Sequence, residues 1–252
     1  ILAIDTSLGK IYNQSEIDQV LKEQFPYRKW LKENAVYIES SLDAYEGPGL
    51  KKINPNKFIT ASKLFLLFKE ERVSVIKPLA IESQEGTGSM GDDTALAVMS
   101  KMHRQMYDFF RQQFAQVTNP PIDSLREVGV MTLETCFGPE LNIYEETPEH
   151  AKRLVTTSPV LSHKKLNAVL KNKYFKSEDI DLIFDKSVSL EKAIKNLQKV
   201  VVKKVRNGAS IIHLIEDIPP EGKLTINALL AVGSVHQNLV ELGLRSDANI
   251  VI

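Results

Sequence analysis

A chain of 252 residues with 43% hydrophobic and 25% charged side chains has the make-up of a folded globular protein, and its length admits one large α/β unit or two small domains. Its 32 basic and 32 acidic residues cancel, which removes the net field that would gather it on nucleic acid or an anionic membrane, and no run of about 18 apolar residues is present to span a bilayer. The lone cysteine, Cys136, excludes an intrachain disulfide and a thiolate cluster, and makes a reducing compartment the simpler expectation. The start at Ile1 without methionine and the apolar ending "ANIVI" (248–252) lead to the expectation that both ends were cut from something longer.

The opening "ILAIDTSLGKIYN" (1–13) alternates apolar and polar residues about a turn signal at Ser7 to Gly9, which predicts a β-hairpin or two short strands. Ser15, followed by Glu16 and then Ile17, Val20 and Leu21, predicts an N-cap and a short amphipathic helix. Residues 25–56 are mixed and end in the loop-like "YEGPGLKKINPN", so this stretch is expected as an exposed excursion rather than core. From about Ala61 to Glu82 the spacing of Leu64, Leu67, Phe68, Val75, Ile76 and Leu79 is helical, with Pro78 kinking the helix or marking a first turn. Beyond a glycine-rich loop, Met99, Met102, Met106, Phe109 and Phe110 recur at three- and four-residue steps up to Phe114. A second helix is predicted there, its methionines packing a core, since unbranched thioethers fill irregular gaps.

The C-terminal third has the clearest pattern. "DLIFD" (181–185) reads as a strand; Leu190, Ala193, Ile194, Leu197, Val201 and Val205 trace one helical face; "GASIIHLIE" (208–216) reads as a buried strand, Ile226 to Leu242 as a helix and "ANIVI" as a strand. That order, β-α-β-α-β, calls for parallel strands with right-handed crossovers. The expected fold class is therefore α/β: a parallel C-terminal portion, a largely helical middle and an N-terminal β-hairpin, without internal repeats.

Several motifs invite a chemical reading. "GTGSMG" (86–91) satisfies G-x-G-x-x-G, but a dinucleotide site needs a strand before it and an acidic residue on a second strand about 20 positions on. Here position 111 is an arginine within a predicted helix, and Asp92 and Asp93 stand where a pyrophosphate would bind. The two aspartates could share an ion or a proton; capping of free N–H groups at a helix start is the simpler reading. His103, His163, His213 and His236 are too scattered for ligand spacing and read as packed or surface residues, and Cys136 in "TLETCFGPE" has no partner identifiable by spacing. The basic run "KVVVKKVRNG" (199–208) reads as a solvated helix edge beside a buried one. "FAQVTNPPID" (114–123) is more demanding: Asn119 before Pro120 and Pro120 before Pro121 force extended backbone where a helix must end, which explains the prolines but not the whole phrase.

Five phrases, in order, carry a resemblance: "GSMGDDTALAVMS" (88–100), "YDFFRQQFAQVTNPPIDSLRE" (107–127), "VMTLET" (130–135), "SPVLS" (158–162) and "ALLAVGSVHQNLVELGLR" (228–245). Together they resemble the central domain of glutamate synthase, in its large or ferredoxin-dependent form. Ala95 and Ser124 stand where that family usually has proline, which bears on loop geometry. The resemblance implies that residues 1–252 form one central domain of a longer chain. It would link a glutaminase domain, which frees ammonia from glutamine, to an FMN domain that builds glutamate with FMN and an iron–sulfur cluster. It further implies that Ser89, Met90, Gly91, Asp92, Asp93, Thr94, Thr118, Asn119, Pro120 and Pro121 line the ammonia channel. No catalytic, cofactor or metal residue is assigned to the segment, since residue 1 is isoleucine rather than a nucleophilic cysteine and one cysteine cannot hold an iron–sulfur cluster. The expected partners are the glutaminase and FMN domains of the same chain, with neither nucleic acid nor membrane, in the cytoplasm or a plastid. Two rivals from other classes stay open: an independent α/β small-molecule-binding module using the glycine loop, and a small metal-dependent enzyme built on Asp92 and Asp93.

Overall fold

A computed structural model describes residues 1–38, 54–65, 67–82, 99 and 130–252, apart from the side chain of residue 70. By its internal contacts the chain divides into two compact units, Ile1–Lys51 with Leu133–Ile252, and Lys52–Thr132.

The first unit opens with the predicted hairpin: β1 (Ala3–Asp5) pairs antiparallel with β2 (Lys10–Tyr12). Its turn is closed by the Asp5 carboxylate, which accepts from the Ser7 N–H at 2.8 Å, the Ser7 hydroxyl at 2.6 Å and the Leu8 N–H at 3.0 Å, while Gly9 takes the left-handed conformation at φ +62°. Helix α1 (Gln14–Glu23) follows, but its cap lies two residues before the one expected. Asn13 accepts from the Glu16 N–H at 3.0 Å and Glu16 returns the bond to the Asn13 N–H at 2.9 Å. Ser15 instead donates to the Asn13 side chain at 2.7 Å, so it steadies the capping box rather than forming the cap. Helix α2 (Tyr27–Asn34) and strand β3 (Ala35–Tyr37) come next. They correct the reading of 25–56 as an excursion, because β3 joins a sheet and Ile38 is buried in the core; residues 39–53 lie outside the described residues.

In the second unit α3 (Pro55–Leu64) is capped by Asn54, and α4 (Lys69–Glu71) runs through a π-helical turn at Arg72–Ile76 into α5 (Lys77–Glu82). The helix expected over 61–82 is thus two pieces. Pro78 has no N–H and crowds the carbonyl four residues back, and the wider π turn immediately ahead of it relieves that clash. The predicted methionine helix lies outside the described residues, except for Met99, which is exposed.

After the second unit, β4 (Thr135–Phe137) and β5 (Arg153–Thr156) pair antiparallel, with β3 parallel to β5 on its other side, giving the order β3-β5-β4. A 3-10 turn (Pro148–Ala151) leads into β5, and α6 (His163–Leu170) follows, capped at its start where the Lys165 N–H donates to the Ser162 hydroxyl at 3.3 Å.

The remaining strands are β6 (Lys176–Asp181), β7 (Ile183–Asp185), β8 (Ala209–Ile215), β9 (Lys223–Thr225) and β10 (Asn249–Val251), with α7 (Leu190–Arg206) between β7 and β8 and α8 (Ala228–Glu241) between β9 and β10. β10, β8 and β6 form the parallel sheet that the sequence predicts, in the order β10-β8-β6. Its first strand is Lys176–Asp181 rather than "DLIFD". At Asp181 the carboxylate accepts from the Ile183 N–H at 2.8 Å and turns the chain, so Ile183–Asp185 leaves that sheet to pair antiparallel with β9.

Alternation along the strands divides the core. Ile180, Ile212, Leu214 and Ile250 pack against Ala193, Leu197, Val201 and Val205 of α7 and Ala231, Val235 and Leu239 of α8. Ile211 and Val251, on the opposite face, pack with Ile38, Phe137, Leu154 and Val169. β8 is therefore buried on both faces, as suits the middle strand of a parallel sheet, and each such Ile or Leu contributes about 1.5–3 kcal/mol by leaving water.

Candidate functional sites

All ten residues assigned to a channel wall, Ser89 to Thr94 and Thr118 to Pro121, lie outside the described residues, as does the glycine string with them. The β-α-β-α-β run shows what a nucleotide would meet elsewhere. Its strand order matches one half of a dinucleotide-binding fold, in which a glycine-rich turn after the first strand lets a pyrophosphate approach the backbone. After β6, the corresponding stretch 182–189 reads "LIFDKSVS" and has no glycine.

The described histidines are engaged in separate places. On the sheet face opposite α7 and α8, His213 of β8 stands beside Asp179 of β6, with Nδ1 and Oδ1 2.9 Å apart. The histidine side chain is only 14% exposed and the aspartate 64%. The pair lies toward the carboxyl ends of two parallel strands, where open α/β sheets place ligands. A carboxylate at Nδ1 orients the ring, but proton transfer also needs a group within about 3 Å of Nε2, and no such bond to Nε2 exists among the described residues. From sequence His213 reads as packed or surface; its partner, 34 residues away, becomes visible only with the strand register.

His236 accepts from the Arg245 Nε at 2.9 Å while the same guanidinium donates to the Ala248 carbonyl at 2.7 Å, which fixes the turn into β10. His163 is exposed at the start of α6. His150, which sequence reasoning passed over, bridges the Thr147 hydroxyl at 2.9 Å and the Asn142 carbonyl at 3.0 Å. Cys136 is exposed on β4, and partial desolvation, helped by Glu134 and opposed by Arg153, pushes its thiol above the ordinary range. A nucleophilic cysteine needs the opposite shift. Among the described residues no group of three or more His, Cys, Asp and Glu could hold a metal ion, and no helix is long and apolar enough to cross a membrane.

The basic run is the edge of α7, as its spacing predicts: Val201 and Val205 are buried and Val200 is exposed. Lys195, Lys199, Lys203 and Arg206 line an open groove of about 600 Å³ against Asn238 and Leu242 of α8. Lys195 is paired with Glu191 at 2.7 Å and Lys204, on the neighbouring side, with Glu178 at 2.7 Å. The cations of the last turn also complement the negative end of the helix dipole.

Against known proteins, the family described as "Glutamate synthase central domain" matches residues 60–252. The chain belongs to the glutamate synthase central-domain family. The ferredoxin-dependent glutamate synthase of spinach chloroplasts is 37% identical over 259 aligned residues, covering 100% of this chain and 16% of the spinach protein. Ferredoxin-dependent glutamate synthase 2 of Synechocystis is 35% identical and the NADPH glutamate synthase large chain of Bacillus subtilis 31% identical, again over 100% of this chain and 16% of theirs. The chain thus spans about a sixth of the length of these curated relatives, and similarity to both ferredoxin- and NADPH-dependent proteins attaches this central domain to neither type of electron donor.

Proposed function

We propose that this chain acts in glutamate biosynthesis as the single central domain of a glutamate synthase, joining a glutaminase domain to an FMN-bearing synthase domain and walling the ammonia passage between them. The observation that carries this reading is the family match over 60–252, together with full-length similarity to proteins named as glutamate synthases of which the chain makes up 16%. That proportion leaves ample chain in a parent of this kind for further domains. The wall is assigned to Ser89, Met90, Gly91, Asp92, Asp93, Thr94, Thr118, Asn119, Pro120 and Pro121. Ammonia is small and uncharged, so modest polar groups such as the Thr118 hydroxyl and Asn119 amide suffice to guide it.

FMN and an iron–sulfur cluster belong to the parent enzyme in this reading and not to these residues. A cluster needs several thiolates, and this chain has one cysteine, whose thiol is shifted away from thiolate formation. The site of action is cytoplasmic, or a plastid for a plant-like parent. Titrating the chain with FMN, NADPH and Mg²⁺ separates this reading from its rivals. No saturable binding is expected up to millimolar concentration; tight binding of NADPH or Mg²⁺ would instead support an independent binding module or a metal enzyme.

A further inference from the structure

Away from the proposed passage, α2 and the segment 145–151 enclose a cleft of about 240 Å³, too small for most drug-sized ligands but large enough for the end of one long side chain. One wall is aromatic. Trp30 stacks on Phe25 with ring centroids 5.4 Å apart and meets Tyr27 edge-on at 5.7 Å. The other wall carries Glu145 and Glu146. Tyr27 donates its hydroxyl to Glu146 Oε2 at 2.6 Å, and Asn142 donates to Glu145 Oε1 at 2.9 Å. The His150 bonds to Thr147 and Asn142 hold this wall in shape. Neither carboxylate has an ion-pair partner among the described residues.

Two carboxylates with no ion-pair partner among the described residues, beside the rings of a tryptophan and a tyrosine, form an environment that favours a cation, because the ring quadrupole and the carboxylates attract the same charge. A planar guanidinium suits it better than an ammonium, since it can stack on an aromatic ring while its N–H groups reach a carboxylate. Leu31, in the lining, is 56% exposed, and Ile143 and Tyr144, which precede Glu145 in the chain, are 84% and 90% exposed. A free metal ion or small hydrophilic cation would leave these side chains in water, whereas a polypeptide would cover them.

We propose that this cleft is a docking site for a partner polypeptide that inserts an arginine between Trp30 and the Glu145–Glu146 wall and lays flanking apolar residues on Leu31, Ile143 and Tyr144. Trp30 is the sole tryptophan of the chain, so its fluorescence reports on this cleft alone. The probe is the peptide acetyl-Leu-Arg-Leu-amide, with its citrulline counterpart as a neutral isostere and free arginine amide as a cation without apolar flanks. The arginine peptide is expected to change Trp30 emission saturably. Loss of the positive charge in the citrulline peptide should weaken binding about tenfold, and Glu146→Gln, which keeps an acceptor for Tyr27, should do so to a similar degree. Glu145→Gln supplies a second variant should Glu146→Gln disturb the fold. No saturable change with the arginine peptide, or equal affinity for the citrulline peptide, overturns the site. Arginine amide binding as tightly as the peptide overturns the docking role.

Discussion

Strand β8 and the first 34 residues are built on opposite principles. In β8, Ala209, Ile211, Ile212 and Leu214 are each at most 1% exposed, and the strand is held on one side by α7 and α8 and on the other by Ile38, Leu154 and Phe137. The N-terminal hairpin, α1 and α2 bury no residue. Ile4 and Ile11 face each other across the hairpin yet remain 66% and 59% exposed. Order there comes from bonds between near neighbours: the Asp5 turn, the Asn13–Glu16 box and the aromatic contacts of α2. Burial gives one region its stability, and short-range polar chemistry gives the other its shape.

That contrast can be broken most forcefully at the sheet. Leu214→Ala is expected to destabilise the chain by about 2–5 kcal/mol, since it removes transfer energy and leaves a cavity between β8 and the helices, whereas Ile4→Ala should stay within about 0.5 kcal/mol. Urea unfolding followed by circular dichroism checks both, and equal losses would erase the distinction. A smaller effect is expected from Asn13→Ala, which removes the cap of α1 and should cost about 1 kcal/mol. It should appear as faster amide exchange within Gln14–Glu23 while the cooperative unfolding midpoint stays in place; a shifted midpoint would mean that the two regions unfold together.

The smallest effect concerns acid. Lys204, then Lys176, donates to Glu178 and holds its carboxyl below the ordinary 4.5. A depressed carboxyl stabilises the fold fully above that ordinary value, and the contribution is lost as pH falls through the folded-state value. Glu178→Gln should therefore lower stability near neutrality by no more than about 1 kcal/mol for this partly exposed pair, a loss that fades as pH falls below about 4.5, so that the acid limb of the stability profile is flatter in the variant. Urea midpoints taken from pH 6 down to pH 3 test this, and an unchanged slope would remove the pair from the account.

Much of the sheet was legible because its signals are local. The spacing of Ala193, Leu197, Val201 and Val205 marks the inner face of α7, and the unbroken apolar run of β8 marks a strand covered on both sides. β6 escaped notice for a physical reason: as an edge strand it carries Lys176, Glu178 and Asp179, with Glu178 met by Lys176 of the same strand and by Lys204 of α7 and Asp179 hydrogen-bonded with His213 of β8, so its sequence "KSEDID" has too few apolar residues to show a pattern. "DLIFD" misled because Leu182 is buried while Ile183 to Asp185 belong to another sheet. The cleft at Trp30 was hidden as well, since Tyr27 and Glu146 are 119 residues apart and no spacing rule joins them. The family, by contrast, was legible in long phrases such as "QVTNPPID", and the match over 60–252 agrees.

The proposed role of the chain is tested most directly in the intact parent enzyme carrying Thr118→Phe, by measuring glutamate formed per glutamine hydrolysed. If Thr118 borders the ammonia passage, the bulky ring should leave glutamine hydrolysis and flavin reduction each competent. The ratio should fall, with free ammonia appearing in the medium in matching amount. An unchanged ratio in a folded variant would contradict the placement of Thr118 on the channel wall.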